Sequence, residues 1–346
     1  MTDHAMPSTN DLAPVELRPA NVADAEQALA CHNAVFADAA RGVPPRNLAH
    51  WRWKFAANPT GVVRQMLAVH PAAGVLGIYG TIPVHATFAG RRCLAGQAVD
   101  FCVRPEWLKH GGPPGLFPRL GRACLDRWLG SNDGQLHFLW GLPIVAWRSG
   151  AVHLGWQIAR DWDITFRELP PGGTPRATPA ELEVRAVERF DQQAEALFAR
   201  VEPTLGVATV RDHRYLNWRY ADHPDRAYVL FECHERRSGA LRGLCVYGRG
   251  DVVRPNTSHL VDWLAPADDG DTTTALLAAA EQQTRTDGTG LLCAVWNPLD
   301  PRFLAMQELG YRVRGTPYFL VLAAALHDVT FFREQWYFTL GDSDLV

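Results

Sequence analysis

Apolar and polar residues alternate along the first half of the chain in a pattern that predicts strands with one buried face, interrupted by helical periodicity. The most apolar strand, Gln97–Val103, stops before Pro105, and a loop rich in glycine and proline follows it. The other predicted elements, in chain order, are strand 15–18, helices 23–36 and 47–57, strands 64–70, 75–83 and 85–88, helix 116–129, strand 137–141 and helix 145–154. This order indicates an α+β (mixed α/β) fold and not the regular βαβ alternation of a Rossmann fold.

The same plan returns in the second half, with a core strand at 259–264, a helix at 273–285, a strand at 291–296 and a helix at 301–309. Short sequence matches recur in the same order at slowly drifting offsets, which predicts a duplication. The matched pairs are Trp53–Pro59 with Trp218–Pro224 at an offset of 165, Val99–Phe101 with Val261–Trp263 at 162, and Pro143 with Pro298 and Gly155 with Gly310 at 155.

Four segments follow from this duplication. We predict a disordered N-terminus at 1–14, a first copy at 15–167, a linker rich in proline and glycine at 168–182, and a second copy at 183–346. Each copy is predicted to form a mostly antiparallel mixed sheet flanked by helices. A duplicated unit of about 160 residues is an ordinary size for one domain.

Composition narrows the class of protein. Apolar residues make up 47% and charged residues 21%, which is typical of a globular chain. A net charge of −3 without a basic run argues against a nucleic-acid partner, and the longest apolar stretch, Tyr318–Leu326, is too short to span a membrane. Seven cysteines without a CxxC pair predict reduced thiols in the cytoplasm and no metal site. The oligomeric state stays open.

Particular segments resemble a known family. The strand QAVDFCVRPEW at 97–107 and the helix start GLFPRL at 115–120 resemble the GNAT superfamily of acyl-CoA-dependent N-acyltransferases. The segments HWRWKFAANPTG at 50–61 and WYFTLGDSDLV at 336–346 are similar to a poorly characterised bacterial tandem-GNAT group. The resemblance implies two tandem GNAT-like domains and a transfer of an acetyl or other acyl group from CoA to a primary amine, on a small molecule or a peptide.

The resemblance also implies where the cofactor, acetyl-CoA or another acyl-CoA, would bind. Glycine loops and helix starts favour phosphates, because their N–H groups lack partners. The predicted cradle and pantetheine edge comprise Phe101, Cys102, Val103, Lys109, His110, Gly111, Gly112, Gly115, Leu116 and Phe117. Pro113 and Pro114 remove two N–H donors, so a rigid turn is the alternative interpretation. The matching loop of the second copy, 265–271, carries three aspartates that would repel a pyrophosphate, so the site is predicted in the first copy only.

Two residues are candidates for proton transfer. Asp100 lies beside the predicted thioester position and is a candidate general base, but Asp262 holds the same position in the second copy, which favours a structural role. The tyrosine that many family members use as general acid is replaced by Ala151, and His153 is a candidate substitute.

Two other functions stay open. A Fem-like transferase that uses aminoacyl-tRNA would share the tandem fold, and a non-catalytic scaffold would explain the altered loop. The sequence specifies neither the acceptor nor the length of the acyl chain.

Overall fold

The computed structural model describes residues 14–37, 43–252 and 254–346. In chain order, strands β1 to β13 span Glu16–Pro19, Arg64–His70, Gly74–Phe88, Arg91–Val103, Leu136–Gly141, Gln157–Glu168, Leu182–Val187, Val207–Thr209, Val229–Glu235, Leu241–Gly250, Thr257–Leu264, Leu291–Ala294 and Arg312–Ala324. Within the described residues these strands join one sheet, in the order β1-β2-β3-β4-β5-β13-β6-β12-β11-β10-β9-β7, with β8 paired to β3. The predicted disordered N-terminus, 1–14, lies outside the described residues apart from Pro14.

Helices cover both faces of this sheet, and those predicted at 23–36, 116–129, 145–154, 273–285 and 301–309 lie within three residues of the observed bounds. In chain order, α1 to α9 span Ala25–Phe36, Leu48–Trp51, Leu116–Trp128, Arg148–His153, Gln192–Val201, His213–Leu216, Gly270–Thr286, Pro301–Glu308 and Val329–Gln335. Within the described residues no helix combines the length and the hydropathy needed to cross a bilayer.

The two copies exchange their last strands. β13, from the second copy, pairs antiparallel with β5 and β6 of the first copy, and β6 pairs antiparallel with β12 of the second. Each copy therefore completes its sheet with a strand from the other, and the 13 strands run without a break from one half to the other. The predicted linker, 168–182, lies between β6 and β7.

An approximate twofold relation appears where the two halves meet. Asn47 caps α2 and Asp212 caps α6 by accepting main-chain N–H groups, and both helices continue into a π-helical turn. Trp53 and Trp218, on those turns, stack at 5.3 Å between ring centroids. Each indole N–H donates to the other residue's carbonyl, at 2.7 and 2.9 Å. The repeated tryptophan therefore forms one of the contacts between the copies, besides the exchanged strands.

Two predicted elements differ from the structure. The helix predicted at 47–57 ends its α-helical part at Trp51 and passes into the π turn Arg52–Ala56. The strands predicted at 75–83 and 85–88 form one strand, β3, in which Pro83 is accommodated while the pairing with β4 continues. The α+β class with a mostly antiparallel mixed sheet is confirmed.

Candidate active site

A gap opens in the sheet of the first copy between two parallel strands. β4 and β5 pair from Leu94 with Leu136 as far as Gln97 with Trp140, and β4 continues for six more residues to Val103 without a partner on β5. On the other side β4 stays paired with β3, with a bulge opposite Ile78–Gly80. A strand edge that loses its neighbour presents free main-chain N–H and C=O groups to a ligand.

A cavity of about 360 Å³ occupies this gap. Ala98 to Phe101 of β4 line one side, and Gly141, Leu142 and Pro143 at the end of β5 line the other. Gly141 leaves room because a Cβ there would meet only ordinary van der Waals contacts, the nearest at 3.5 Å from the side chain of Val321. The cavity is therefore a channel between two strands, apolar over most of its wall.

Four aromatic rings follow one another from the core to the mouth of the cavity. Tyr79 is buried and lies 4.3 Å from Phe101, Phe101 stacks on Phe117 at 3.7 Å, and Phe117 stacks on Trp147 at 5.4 Å. The Trp147 side chain is 52% exposed. Such a wall suits a long and largely apolar ligand, since flat rings bury its length without needing hydrogen bonds.

Asp100 lies at the β4 bulge with a φ of 53°, a backbone conformation that a non-glycine residue seldom adopts. Its carboxylate contacts Lys54 Nζ at 3.0 Å and Arg46 at 2.6 Å, and its side chain is only 7% exposed. Burial alone would raise the pKa of Asp100, but Lys54 and Arg46 outweigh burial and hold the pKa well below its usual range. A carboxylate held so firmly ionised is a poor proton acceptor, so these contacts favour the structural role.

The second copy repeats this ion pair without the cavity. Arg211 bonds to Asp262 at 2.7 Å, at the same offset of 165 from Arg46 that separates the two stacked tryptophans. Asp262 also accepts the Tyr220 hydroxyl at 2.7 Å and the Trp263 N–H at 2.8 Å, and its side chain is fully buried. The aspartate at this strand position therefore ties the strand to the neighbouring elements in both copies.

A second carboxylate, which sequence reasoning missed, reaches the same cavity. Asp344, near the end of the chain, lines the cavity and contacts Lys54 and Gln97 at 3.4 Å each. Its side chain is 31% exposed, against 7% for Asp100. The segment that carries Asp344 is fixed by Arg219, which donates to the carbonyls of Ser343 and Val346 at 2.7 and 3.0 Å.

The loop before α3 uses most of its own N–H groups. The Gly115 amide donates to Gly112 O at 2.7 Å and the Leu116 amide to Leu108 O at 3.0 Å, while Pro118 has no N–H. Of the amides at this helix start, only that of Phe117 is left for an outside acceptor. The loop therefore offers a phosphate fewer main-chain donors than its glycine content predicts.

Side chains add positive charge at this loop. Lys109 is exposed, His110 is partly exposed, and a Cβ at Gly111 would overlap the Arg119 guanidinium. Gly115 is required for the backbone itself, since its φ is 86° and a Cβ would lie 2.6 Å from Leu108 O. A substitution at Gly115 would therefore test folding as much as phosphate binding.

Not every predicted site residue lies at the cavity. Phe101 and Phe117 line it, whereas Cys102 packs with Cys31 of α1 and Val103 packs against α3. His153 is exposed and its Nδ1 faces Ser149 O at 2.7 Å, outside the cavity lining. Ala151, in the place of the missing tyrosine, does line the cavity, and it brings no polar group there.

The equivalent gap in the second copy is filled by the protein's own side chains. β11 and β12 pair only as far as Leu260 with Ala294, and two residues later Trp296 is buried with its ring 5.8 Å from that of Trp263 on β11. The Tyr337 hydroxyl donates to the carbonyl of Trp263, and Arg302 donates to Ala265 O at 2.7 Å. The strand edge that is open in the first copy is thus already bonded in the second.

Solved structures share this architecture, although no protein-family model and no curated protein matches the sequence. A probable N-acyltransferase of unknown function from Enterococcus faecalis aligns with a TM-score of 0.61 at 12% identity, over 93% of this chain and 75% of that one. N-myristoyltransferase from Saccharomyces cerevisiae with bound myristoyl-CoA aligns with a TM-score of 0.57 at 14% identity, over 93% of this chain and 84% of that one. A tandem GNAT protein from the clavulanic acid biosynthesis pathway aligns with a TM-score of 0.55 at 13% identity, over 91% of this chain and 100% of that one. The chain therefore has the fold of tandem GNAT-type N-acyltransferases, which confirms the predicted resemblance at the level of the fold.

Proposed function

We propose that this protein transfers an acyl group from acyl-CoA to a primary amine, and that the reaction takes place in the cavity of the first copy. The observation that carries this proposal is the channel of about 360 Å³ between β4 and β5, beside an unpaired strand edge. A pantetheine arm contains two amides and can pair with such an edge as an added strand. The aromatic wall then covers its apolar parts.

Asp344 is the proposed proton acceptor. Acyl-CoA supplies an acyl group activated as a thioester. As the amine nitrogen bonds to the acyl carbon and the carbon–sulfur bond breaks, CoA leaves as its thiolate. The amine must lose a proton, and a carboxylate within reach can take it. Asp344 suits this role better than Asp100, because its side chain is partly exposed and its two polar contacts are long, at 3.4 Å.

The surrounding residues position this carboxylate. Lys54 lies between the two aspartates, 3.0 Å from Asp100 and 3.4 Å from Asp344, so Asp100 fixes the ammonium that in turn orients Asp344. Arg219 fixes the chain on the other side of Asp344 through two carbonyls. The second copy thus contributes to the site by holding the segment that enters the first.

Binding and turnover test the proposal separately. Calorimetry with CoA, acetyl-CoA and myristoyl-CoA measures donor binding, and a panel of primary amines with release of free thiol as readout measures transfer. We expect donor binding in the micromolar range with one site per chain. No heat of binding at millimolar donor would contradict the proposal. Binding of the donor without any thiol release would favour the non-catalytic alternative.

A further inference from the structure

The mouth of the cavity in the first copy exposes an unusual share of apolar side chains. The described residues include twelve exposed large apolar side chains, and five of them belong to Leu108 or to the segment 144–152. These five are Leu108, Ile144, Val145, Trp147 and Val152, with exposed fractions between 42% and 58%. The segment 144–152 also supplies Trp147 and Ala151 to the cavity lining. Exposed apolar residues concentrated beside a cavity indicate a surface where another molecule binds.

Leu108 reaches this mouth from the loop before α3. The Leu116 amide donates to the Leu108 carbonyl at 3.0 Å, and the next residue, Phe117, stacks on Trp147 at 5.4 Å between ring centroids. The loop and the segment 144–152 therefore lie on two sides of one opening.

Positive charge is concentrated on the same side of the molecule. Residues 104–128, which form the loop and α3, contain five lysines or arginines and two acidic residues, a net charge of +3 in a chain whose net charge is −3. The matching residues of the second copy, 266–290, contain one arginine and five acidic residues. The positive charge thus accompanies the open gap and is absent from the closed one.

The cationic side chains at the mouth are available to a partner. Lys109 and Arg122 are exposed, and the Arg119 guanidinium lies beside Gly111 in the loop. Among the described residues none of these three side chains forms an ion pair. Exposed charges of one sign attract a partner of the opposite sign and increase its rate of association.

CoA by itself uses only part of this surface. Its diphosphate needs several donors, and at the start of α3 the Phe117 amide is the one main-chain donor left free by the loop. Its nucleotide is polar and leaves aliphatic side chains such as Val145 and Val152 uncovered. A protein partner with an acidic surface can cover the apolar residues and pair with the cations at the same time.

We propose that the exposed rim of the cavity docks an acidic acyl carrier protein, a small protein that presents an acyl group as a thioester on a phosphopantetheine arm. The rim comprises Leu108, Lys109, Arg119, Arg122 and the exposed side chains of 144–152. This inference rests on the proposed function, because the arm would enter the channel between β4 and β5. The amine nitrogen bonds to the acyl carbon, the carbon–sulfur bond breaks, the thiolate stays on the carrier's arm, and Asp344 takes the proton. Acyl-CoA ends in the same pantetheine arm and is the smaller donor for the same channel.

The full-length chain is tested with one primary amine and two donors that carry the same acyl group. The donors are acyl-CoA and the acyl carrier protein of bacterial fatty-acid synthesis, and the readout is the N-acylated product. We expect kcat/KM for the carrier donor to exceed that for acyl-CoA by about tenfold or more, and to fall steeply with added salt. Calorimetry of the loaded carrier against the protein measures docking without any acceptor.

Val145→Asp places a negative charge in the apolar part of the rim. We expect kcat/KM with the carrier donor to fall by about tenfold, and kcat/KM with acyl-CoA to change by less than about twofold, because Val145 does not line the cavity. Leu304→Asp, at a residue of the second copy that is 61% exposed, is the matched control and should change neither value. Arg122→Glu, with the exposed Arg237→Glu as its control, provides a second test if Val145→Asp does not fold.

Several results would overturn carrier docking. If acyl-CoA is as good a donor as the carrier, or if the rim variants reduce turnover of both donors equally, the carrier does not dock at the rim, although acyl transfer itself would stand. If neither donor yields product, the proposed function is wrong and this inference with it. Binding to vesicles of anionic phospholipid, without binding to the carrier, would assign the rim to a membrane surface.

Discussion

The gap after β4 and the gap after β11 begin alike and end differently. In both copies the parallel strand pairing stops after a few residues, at Gln97 with Trp140 and at Leu260 with Ala294. In the first copy Gly141 then leaves a channel. In the second copy Trp296 packs against Trp263 of β11, and the Tyr337 hydroxyl bonds to the Trp263 carbonyl at the strand edge.

The same strand arrangement forms a binding channel in the first copy and a packed core in the second. A tryptophan buries roughly 150–250 Å² of surface, which at ~25 cal/mol per Å² is worth several kcal/mol of stability. The second copy therefore gains core packing where the first keeps a binding channel. The segment that closes the second gap continues to Asp344, which lines the first cavity. The second copy therefore contributes a carboxylate to the cavity of the first.

The largest effect is expected from Asp344→Asn, which keeps the size of the side chain and removes its basicity. The turnover number should fall by roughly 10²- to 10⁴-fold, because general base catalysis contributes about that much. Acyl-CoA affinity, measured by calorimetry, should change by less than about twofold. Asp268→Asn, in the exposed loop of the second copy, is the matched control and should leave both quantities unchanged.

Asp100→Asn decides between the two carboxylates. A folded Asp100→Asn variant that loses turnover while Asp344→Asn keeps it would move the base to Asp100 and contradict our assignment. Melting curves must accompany this comparison, because Asp100 also holds Lys54 and Arg46.

Gly141→Leu makes the first gap resemble the second. The added side chain would occupy the channel lined by Ala98 and Val321, and we expect acyl-CoA affinity to fall by ~100-fold or about 2.7 kcal/mol. In the opposite direction, Trp296→Ala should cost about 3–5 kcal/mol of unfolding free energy without creating a second acyl-CoA site, because Tyr337 still bonds the strand edge. A second binding site in Trp296→Ala would show that Trp296 alone closes that gap.

A change of charge should alter acyl-CoA affinity at the loop before α3 in the first copy, where the gap is open, and not at the matching loop of the second copy. Lys109→Glu should weaken acyl-CoA binding by about three- to tenfold, and the difference should shrink with added salt because the side chain is exposed. The reversed change in the second copy, Asp268→Lys, should not create binding. Equal affinities of wild type and Lys109→Glu at low salt would remove this loop from the phosphate site.

The last prediction concerns the stacked tryptophans between the copies and the response of this region to acid. Burial lowers the pKa of His50 to about 4 despite its hydrogen bond to Asp225, and burial with Arg219 lowers the pKa of His223 to about 2. Unfolded histidines bind protons near pH 6.5, so the stabilisation is complete above that pH and declines as the pH falls towards 4. After allowing for solvent screening, we expect a loss of about 1–2 kcal/mol between pH 7 and 4.5.

Chemical denaturation at several pH values measures this decline. His223→Asn should flatten it, whereas His153→Asn, at an exposed histidine, should leave the slope unchanged. A slope that persists in a folded His50→Asn, His223→Asn double variant would assign the acid sensitivity to other groups.

Local sequence signals were sufficient for much of the first copy. The Gln97–Val103 strand and the 116–129 helix lie within β4 and within one residue of α3, because alternation and helical periodicity report burial on one face. The repeat around Trp53 and Trp218 indicated a duplication. It did not indicate that the two tryptophans contact each other, since a repeat carries no information about distance between its copies.

The remaining features depend on contacts that are distant in sequence. The exchange of β6 and β13 depends on strand pairing across more than a hundred residues. Asp344 belongs to no catalytic motif, and its one signal was the family-like segment 336–346 that contains it. The glycine content of the loop predicted a phosphate cradle, but only the backbone hydrogen bonds to Leu108 and Gly112 reveal which amides are already used.

The exchanged strands also constrain how the chain can be made. The first copy leaves the ribosome first, yet the strand that belongs between β5 and β6 is Arg312–Ala324, almost at the other end of the sequence. Until it arrives, β5 and β6 present unpaired edges, which are the surfaces most prone to aggregation in a nascent chain. Most domains of tandem proteins fold one after another during synthesis. Here neither half can complete its sheet before the other supplies its strand, so the two halves must complete folding together.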